Sequence, residues 1–296
     1  IMKVLPFPEI GQSAYFLITT ANRIIMGNNI TEYVLDRLVE VELKEVREDA
    51  LFVRLCSHRH DVKGTSLVHY FNNELCDIYS DIDIVVGYDG KVRDISDFDF
   101  IKDRWENKRP DILKNYSQDI KPLVDGTSLL LKDKEKFIDS LFGGYSFWRF
   151  FFQPWYRREY KETENEKILL KNYFGDISLP LDVKSSILSR QDDDSIVWKI
   201  KNTASLDSKG FNRKGFARML KNLTKVYNID ASLAVDFEEN YTFIKNGTLS
   251  EAELFLNTSV SNWYIVLTGH KLIQVSKTGL EKLKEAEDMA ETLENA

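Results

Sequence analysis

The stretch from Ile30 to Val46 alternates with a period of two. Tyr33, Leu35, Val39, Val41 and Leu43 fall on one face, and Glu32, Asp36, Glu40, Glu42 and Lys44 on the other. Only an extended chain sends every second side chain to the same side, so this run is a long strand. Its sheet has one apolar and one solvated face, which is an antiparallel habit; parallel sheets are covered on both faces. The apolar face then has to be roofed by other parts of the chain.

The same patterning recurs on both sides. Ser13 to Met26 reads as a strand, with a turn at Gly27-Asn28-Asn29. Leu51, Val53 and Leu55 continue the inward set, with Arg54, Cys56, His58 and His60 opposite them. Leu75 to Val86 reads as one strand, with Ile78, Ile82 and Ile84 facing one way and Asp77, Asp81 and Asp83 the other. Asp89-Gly90 signals a type I′ hairpin, and Lys91 to Ile95 returns as a strand. Later strands are expected at Ile168 to Phe174, Ile177 to Leu188, Ser195 to Leu206, Ala231 onward, Thr248 to Val260 and Trp263 to Val275, with a second hairpin turn at Asn246-Gly247.

Helical spacing occupies the gaps. Phe98, Ile101 and Trp105 begin a helix capped by Ser96 and Asp99 and ended by Pro110. Ile120 to Leu131 and Lys134 to Phe142 follow. Ser208 to Tyr227, with Asp207 as N-cap, carries an apolar stripe of Phe211, Phe216, Leu220 and Leu223. Thr278 and Glu281 form a capping box for a last helix through Leu283 and Leu293.

The expected fold class is α+β, predominantly antiparallel β, with helices on the apolar side. The signals come twice in the same order: a hairpin, a third strand, an interruption, a further strand, an Asp-Gly or Asn-Gly turn, and a return strand. This suggests two similar halves arising by internal duplication, built as two antiparallel sheets or one long curved sheet. The divisions implied are residues 1–142, a junction at 143–160, a second sheet region at 161–276, and a tail at 277–296.

The junction is the aromatic run Gly143 to Tyr156. It holds eight aromatic residues, while Gly143-Gly144 and Pro154 interrupt any regular element there. It is too short, and too close to Arg149, Arg157 and Arg158, to span a bilayer. Its rings are the natural shared core of the halves, and Tyr145, Phe147, Trp148, Phe151, Trp155 and Tyr156 are the candidate ligand or partner surface.

Charge and motif content narrow the chemistry. With 40 Lys and Arg against 47 Asp and Glu, the net charge is −7, which disfavours a phosphate backbone as partner, and no nucleic acid is expected. No apolar run is long enough for a transmembrane helix, and two cysteines are too few for a disulfide scaffold. Met2 as a natural start implies a cytoplasmic protein; a trimmed leader implies a periplasmic or exported one. No Gly-x-Ser-x-Gly, Gly-x-Gly-x-x-Gly or phosphate loop occurs, so no cofactor is expected.

Three clusters carry possible chemistry. Asp81-Ile82-Asp83 puts two carboxylates on one strand face and resembles the magnesium-binding pair of nucleotidyltransferases, which implies a third carboxylate, for which Asp182 is the candidate. Against this, the Gly-Ser that such enzymes need is displaced, at Gly64-Thr65-Ser66, and the bland reading is a wet strand face. Cys56, His58 and His60 share a face, but the outer two are roughly 13 Å apart on a strand; Cys56 and His58 with His69 is the weaker zinc alternative. Asp192-Asp193-Asp194 reads as turn residues. The resulting expectation is a non-enzymatic binding protein, first of all one with a protein-protein interaction or assembly role, and second a carrier of an apolar, lipid-like small molecule. The alternative is a nucleotidyltransferase-like enzyme using Asp81 and Asp83.

Overall fold

The computed structural model describes residues 4–64, 66–192, 195–225 and 230–281. One open antiparallel sheet of eleven strands runs through it. The first half supplies β1 (Ser13–Met26), β2 (Asn29–Val46), β3 (Ala50–Gly64), β4 (Asp81–Gly87) and β5 (Val92–Ile95). The second supplies β6 (Thr163–Phe174), β7 (Ile177–Asp192), β8 (Ser195–Leu206), β9 (Ala234–Phe243), β10 (Leu249–Val260) and β11 (Tyr264–Val275). Each half is a meander, and the order across the sheet is β5-β4-β3-β2-β1-β11-β10-β9-β8-β7-β6. The two halves therefore share one sheet. Its seam is the ladder between β1 and β11, from Tyr15 opposite Val275 to Met26 opposite Tyr264.

Among the described residues five α-helices lie between strands: α1 (Leu67–Ile78), α2 (Phe98–Asn115), α3 (Lys121–Leu130), α4 (Lys134–Phe142) and α5 (Arg213–Thr224). Phe71, Ile101, Trp105, Val124 and Phe137 from the first four belong to the same core as Phe16, Val53, Leu55 and Ile84 of the sheet. Phe216 and Leu220 of α5 pack in a second core with Leu181, Phe237 and Leu256. Both cores lie on one face of the second half. Between them runs a buried polar belt: Ser185, Asn202 and Glu239, at successive inward positions of β7, β8 and β9.

Several sequence expectations are corrected. The strand expected from Leu75 is two elements: α1, then β4. Ser66 caps α1 in a reciprocal capping box with His69, and Leu67, Phe71, Leu75 and Ile78 fall at helical spacing against the core. The inward residue Ile78 happens to continue the even-numbered pattern of β4, which disguised the boundary. Helix α2 runs through Pro110, forfeiting one backbone bond, because Ile112 beyond it is anchored in the core. Its N-cap is Asp97, whose side chain caps no helical N–H and instead accepts from the Asp83 backbone. The N-cap of α5 is Asn212; Asp207 accepts from the backbone of Lys209 and Gly210 in the preceding turn.

The hairpin turns also differ from the expected type. Only Gly90 and Gly247 have positive φ, at 76° and 78°, while Asp89 and Asn246 do not. Both turns are closed by a left-handed glycine and are not built on two positive-φ residues, as a type I′ turn would be. The bonds match: Gly90 N–H to Gly87 O and Gly247 N–H to Ile244 O, each 2.9 Å. Asp193, Asp194, Tyr227 and the expected final helix beyond Glu281 lie outside the described residues.

Candidate functional site

The aromatic run forms no strand. It makes one 3₁₀ turn at Phe147–Phe150 and lies over the covered face of the sheet at the seam. Phe147, Trp148, Phe150 and Trp155 are all buried. Ring pairs tie it to every neighbour: Phe151 to Phe16 at 5.3 Å, Trp155 to Tyr241 at 4.6 Å, and Phe142 of α4 to Trp148 at 5.3 Å. Its polar anchor is Arg149, whose Nε donates to Glu239 Oε1 at 2.9 Å in the buried belt. Asn202 and Tyr241 donate to the other oxygen of Glu239, at 3.0 and 3.1 Å. Burial alone would lower the Arg149 pKa; Glu239 beside it raises it above its ordinary value. Beyond the run, Leu5 bridges to Tyr156 and the Phe7 ring packs, tilted by 30°, with its centre 4.9 Å from that of Tyr156.

Two cavities flank this segment, side by side along β2 and β3. The apolar one, of about 230 Å³, is lined by Val41, Leu43, Leu51, Val53, Phe16 and Ala14 of the sheet and by Phe150, Phe151, Phe152, Trp155 and Tyr156. Glu9, Gln12, Ser13, Asn246, Thr248 and Gln274 add polar groups to its wall. The indole N–H of Trp155 is buried without a partner. The other cavity, of about 280 Å³, reaches Val39 and Leu55, the next inward positions on the same strands. Tyr145, Ser146, Phe147 and Trp148 cover it. All six aromatic residues singled out in the sequence therefore line one cavity or the other: Tyr145, Phe147 and Trp148 the second, Phe151, Trp155 and Tyr156 the first.

The second cavity contains what pattern reading passed over. Arg37 sits in the inward register of β2, between Leu35 and Val39, and Tyr33, Thr20, Ser57, His69, Cys76 and His270 lie around it. Its signal was visible: a lone cation in an otherwise apolar period-two set. His69 belongs to this cavity from α1 and does not join Cys56 and His58.

Those two lie on the opposite face of the sheet. A register shift at His58 leaves Ser57 paired with Val39 and Arg59 with Leu38. The extra residue turns His60 to the covered side, where it meets Asp77 of α1 at 3.4 Å. Cys56 and His58 stay outside with Glu40, their donor atoms all within 4.8 Å of one another. A thiol, an imidazole and a carboxylate are a zinc-type donor set. Here Glu40 already accepts from Ser13 at 2.5 Å and lies 2.6 Å from His58 Nε2. Burial, with Asp81 and Glu40 nearby, pushes the Cys56 thiol pKa up, away from the thiolate that binds metal. Cys56 and Cys76 are free.

Asp81 is held by a two-pronged bond from Arg54, at 2.9 and 3.0 Å, which lowers its pKa. Asp83 is exposed beside it. Asp182 is on β7, and β4 and β7 are second and tenth in the sheet order, eight strand spacings apart. At roughly 4.8 Å each, that distance removes Asp182 as a third ligand.

No family model matches this chain. None of the curated proteins matches it either. Among solved structures it is similar to lipovitellin, in a structure concerned with lipid–protein interactions in that protein, at 11% identity and a TM-score of 0.49. The match covers 90% of this chain and 25% of lipovitellin's, so this chain spans about a quarter of that length. Among the described residues no helix is long and apolar enough to cross a membrane.

Proposed function

We propose that this chain is a binding protein for an apolar, lipid-like small molecule, held between the sheet and the aromatic segment. The observation that supports it is the apolar cavity beside that segment, walled by Val41, Leu43, Val53, Phe151 and Trp155. A cavity lined mainly by aliphatic and aromatic side chains, with a few polar groups at its wall, is what an apolar ligand needs. The burial of Phe147, Trp148 and Trp155 favours a ligand taken inside over a protein docked on those rings. The twice-used order β-β-β-α-β-β, β1 to β5 around α1 and β6 to β10 around α5, supports an origin by duplication of one unit.

The test is titration of the purified protein with decanol, followed by tryptophan fluorescence and native mass spectrometry. Saturable binding of one molecule is expected. Ala14→Phe, which fills the cavity from β1, should weaken it by about tenfold or more while the melting temperature holds. A folded wild type that takes up no decanol would sink the reading.

A further inference from the structure

The second cavity has an electrostatic character that the rest of the molecule does not explain. Its lining includes one cation, Arg37, and no carboxylate. Among the described residues no carboxylate pairs with Arg37. Its guanidinium donates to Thr20 Oγ1 at 3.3 Å and packs 4.1 Å from the centre of the Phe147 ring. Burial presses its pKa down, and the groups that act against this are Cys76, which also hydrogen-bonds to it, Tyr33 and Tyr79, none of them a carboxylate.

Around it are buried polar atoms with nothing to bind. His270 is 6% exposed, and its Nδ1 lies 2.9 Å from Thr20 Oγ1 while its Nε2 has no partner. Arg37 donates to one lone pair of the Thr20 oxygen, and we assign the Thr20 hydroxyl proton to His270 Nδ1, the tautomer that leaves a donor facing the cavity. The neutral ring then carries its own proton on Nε2, as an unused donor. The ring stays neutral because burial, and then Arg37 and Arg149, lower its pKa to about 3. Ser57 Oγ, Ser146 Oγ and the Tyr145 hydroxyl are likewise buried and unpartnered. Buried polar groups are nearly always satisfied, and each one left alone costs stability. A cation, an imidazole N–H and three hydroxyls facing one cavity in an acidic protein form a donor set that lacks its acceptor.

We infer that this cavity receives an oxyanion, a carboxylate or phosphate, held by the Arg37 guanidinium with His270, Ser57 and Ser146. This rests on the proposed apolar-ligand reading in one respect: the oxyanion is the head of an amphiphile whose chain fills the neighbouring apolar cavity. The two cavities are lined by successive inward residues of β2 and β3, Val39 against Val41 and Leu55 against Val53, about 7 Å apart along each strand.

The experiment compares decanoate, decanol, butyrate and inorganic phosphate on wild type and on Arg37→Met, by isothermal titration with circular dichroism as the folding check. His270→Phe serves as a second variant should Arg37→Met misfold. Decanoate is expected to bind about tenfold or more tighter than decanol, and Arg37→Met should erase that preference while leaving decanol binding within about twofold. Binding of butyrate or phosphate that needs Arg37, with no binding of either decyl compound, supports the oxyanion site, assigns it to a free anion and fails the apolar reading. Equal binding of decanoate and decanol, or decanoate binding unchanged in folded Arg37→Met and His270→Phe, overturns the oxyanion site and leaves the apolar reading standing. No binding of any of the four overturns both.

Discussion

Arg149 and Arg37 lie at the same aromatic segment and are treated in opposite ways. Arg149 projects from the segment into the polar belt of the second half, where Glu239, itself 0% exposed, receives it and two further donors. Arg37 projects from the first half and finds a hydroxyl, a thiol and a ring. The chain has 47 acidic residues, so composition does not explain the missing carboxylate. The second half completes its ion pair because that pair fixes the roof to the sheet. The first half leaves Arg37 without a carboxylate beside the second cavity, which is the arrangement the inferred oxyanion site rests on.

The largest effect is expected at Glu239. Glu239→Gln strands Arg149 in the interior, and removal of one member of a buried pair costs about 3–5 kcal/mol. Chemical denaturation should show a loss of that size; a loss under about 1 kcal/mol would mean the belt is solvated and the two arginines are alike. Next in size are the hairpin glycines. A Cβ at Gly247, with φ of 78°, would sit 1.9 Å from Pro6 O, and one at Gly90 would sit 2.6 Å from the backbone of Gln153. Left-handed backbone alone costs a side chain about 1–2 kcal/mol, and these clashes add to it. Gly247→Ala and Gly90→Ala should each lower the melting temperature, and Gly90→Ala should also change tryptophan fluorescence by pushing on the aromatic segment.

His270 tests the unpaired side through pH. Its pKa is about 6.5 unfolded and about 3 folded, so between those values the unfolded chain holds a proton that the folded chain lacks. Stability is therefore full above pH 6.5 and declines as pH falls, by up to about 1.4 kcal/mol per unit. Burial lowers the His69 pKa as well, adding to the slope in the same sense. Urea titrations between about pH 7 and pH 5 should show the decline, and His270→Gln should flatten it; an unchanged slope would place the His270 ring in water. The smallest effect belongs to Arg37. With no carboxylate left behind, Arg37→Met should be neutral or stabilising by up to about 1 kcal/mol, whereas Arg149→Met should cost several times that. A loss as large as that of Arg149→Met would remove the contrast.

Much of the architecture was legible along the chain. Residues 30–46 form the strand that their alternation required, and Lys134–Phe142 is a helix with the expected bounds. Local interactions dominate in such elements, since side-chain period and backbone type are two views of one geometry. The boundary before β4 was not legible, because Ile78 of α1 stays in phase with Ile82 and Ile84 of the strand. Nor was the turn of His60 to the covered side, because a bulge is one extra residue with no composition of its own.

The aromatic run shows where the two kinds of information divide. Its residues alone fixed that it would be buried and would not be a regular element: eight rings are too much apolar surface to leave in water, and its glycines and proline interrupt helix and strand. Where it would lie, and that Tyr145 and Trp148 would cover one cavity and Phe151 and Trp155 another, depended on β1 meeting β11 across most of the chain. The same long-range pairing brings His270 beside Thr20 and both beside Arg37. Sequence settles periodicity because neighbours along the chain determine it; which polar atoms are left without partners is settled only when residues hundreds of positions apart are packed together.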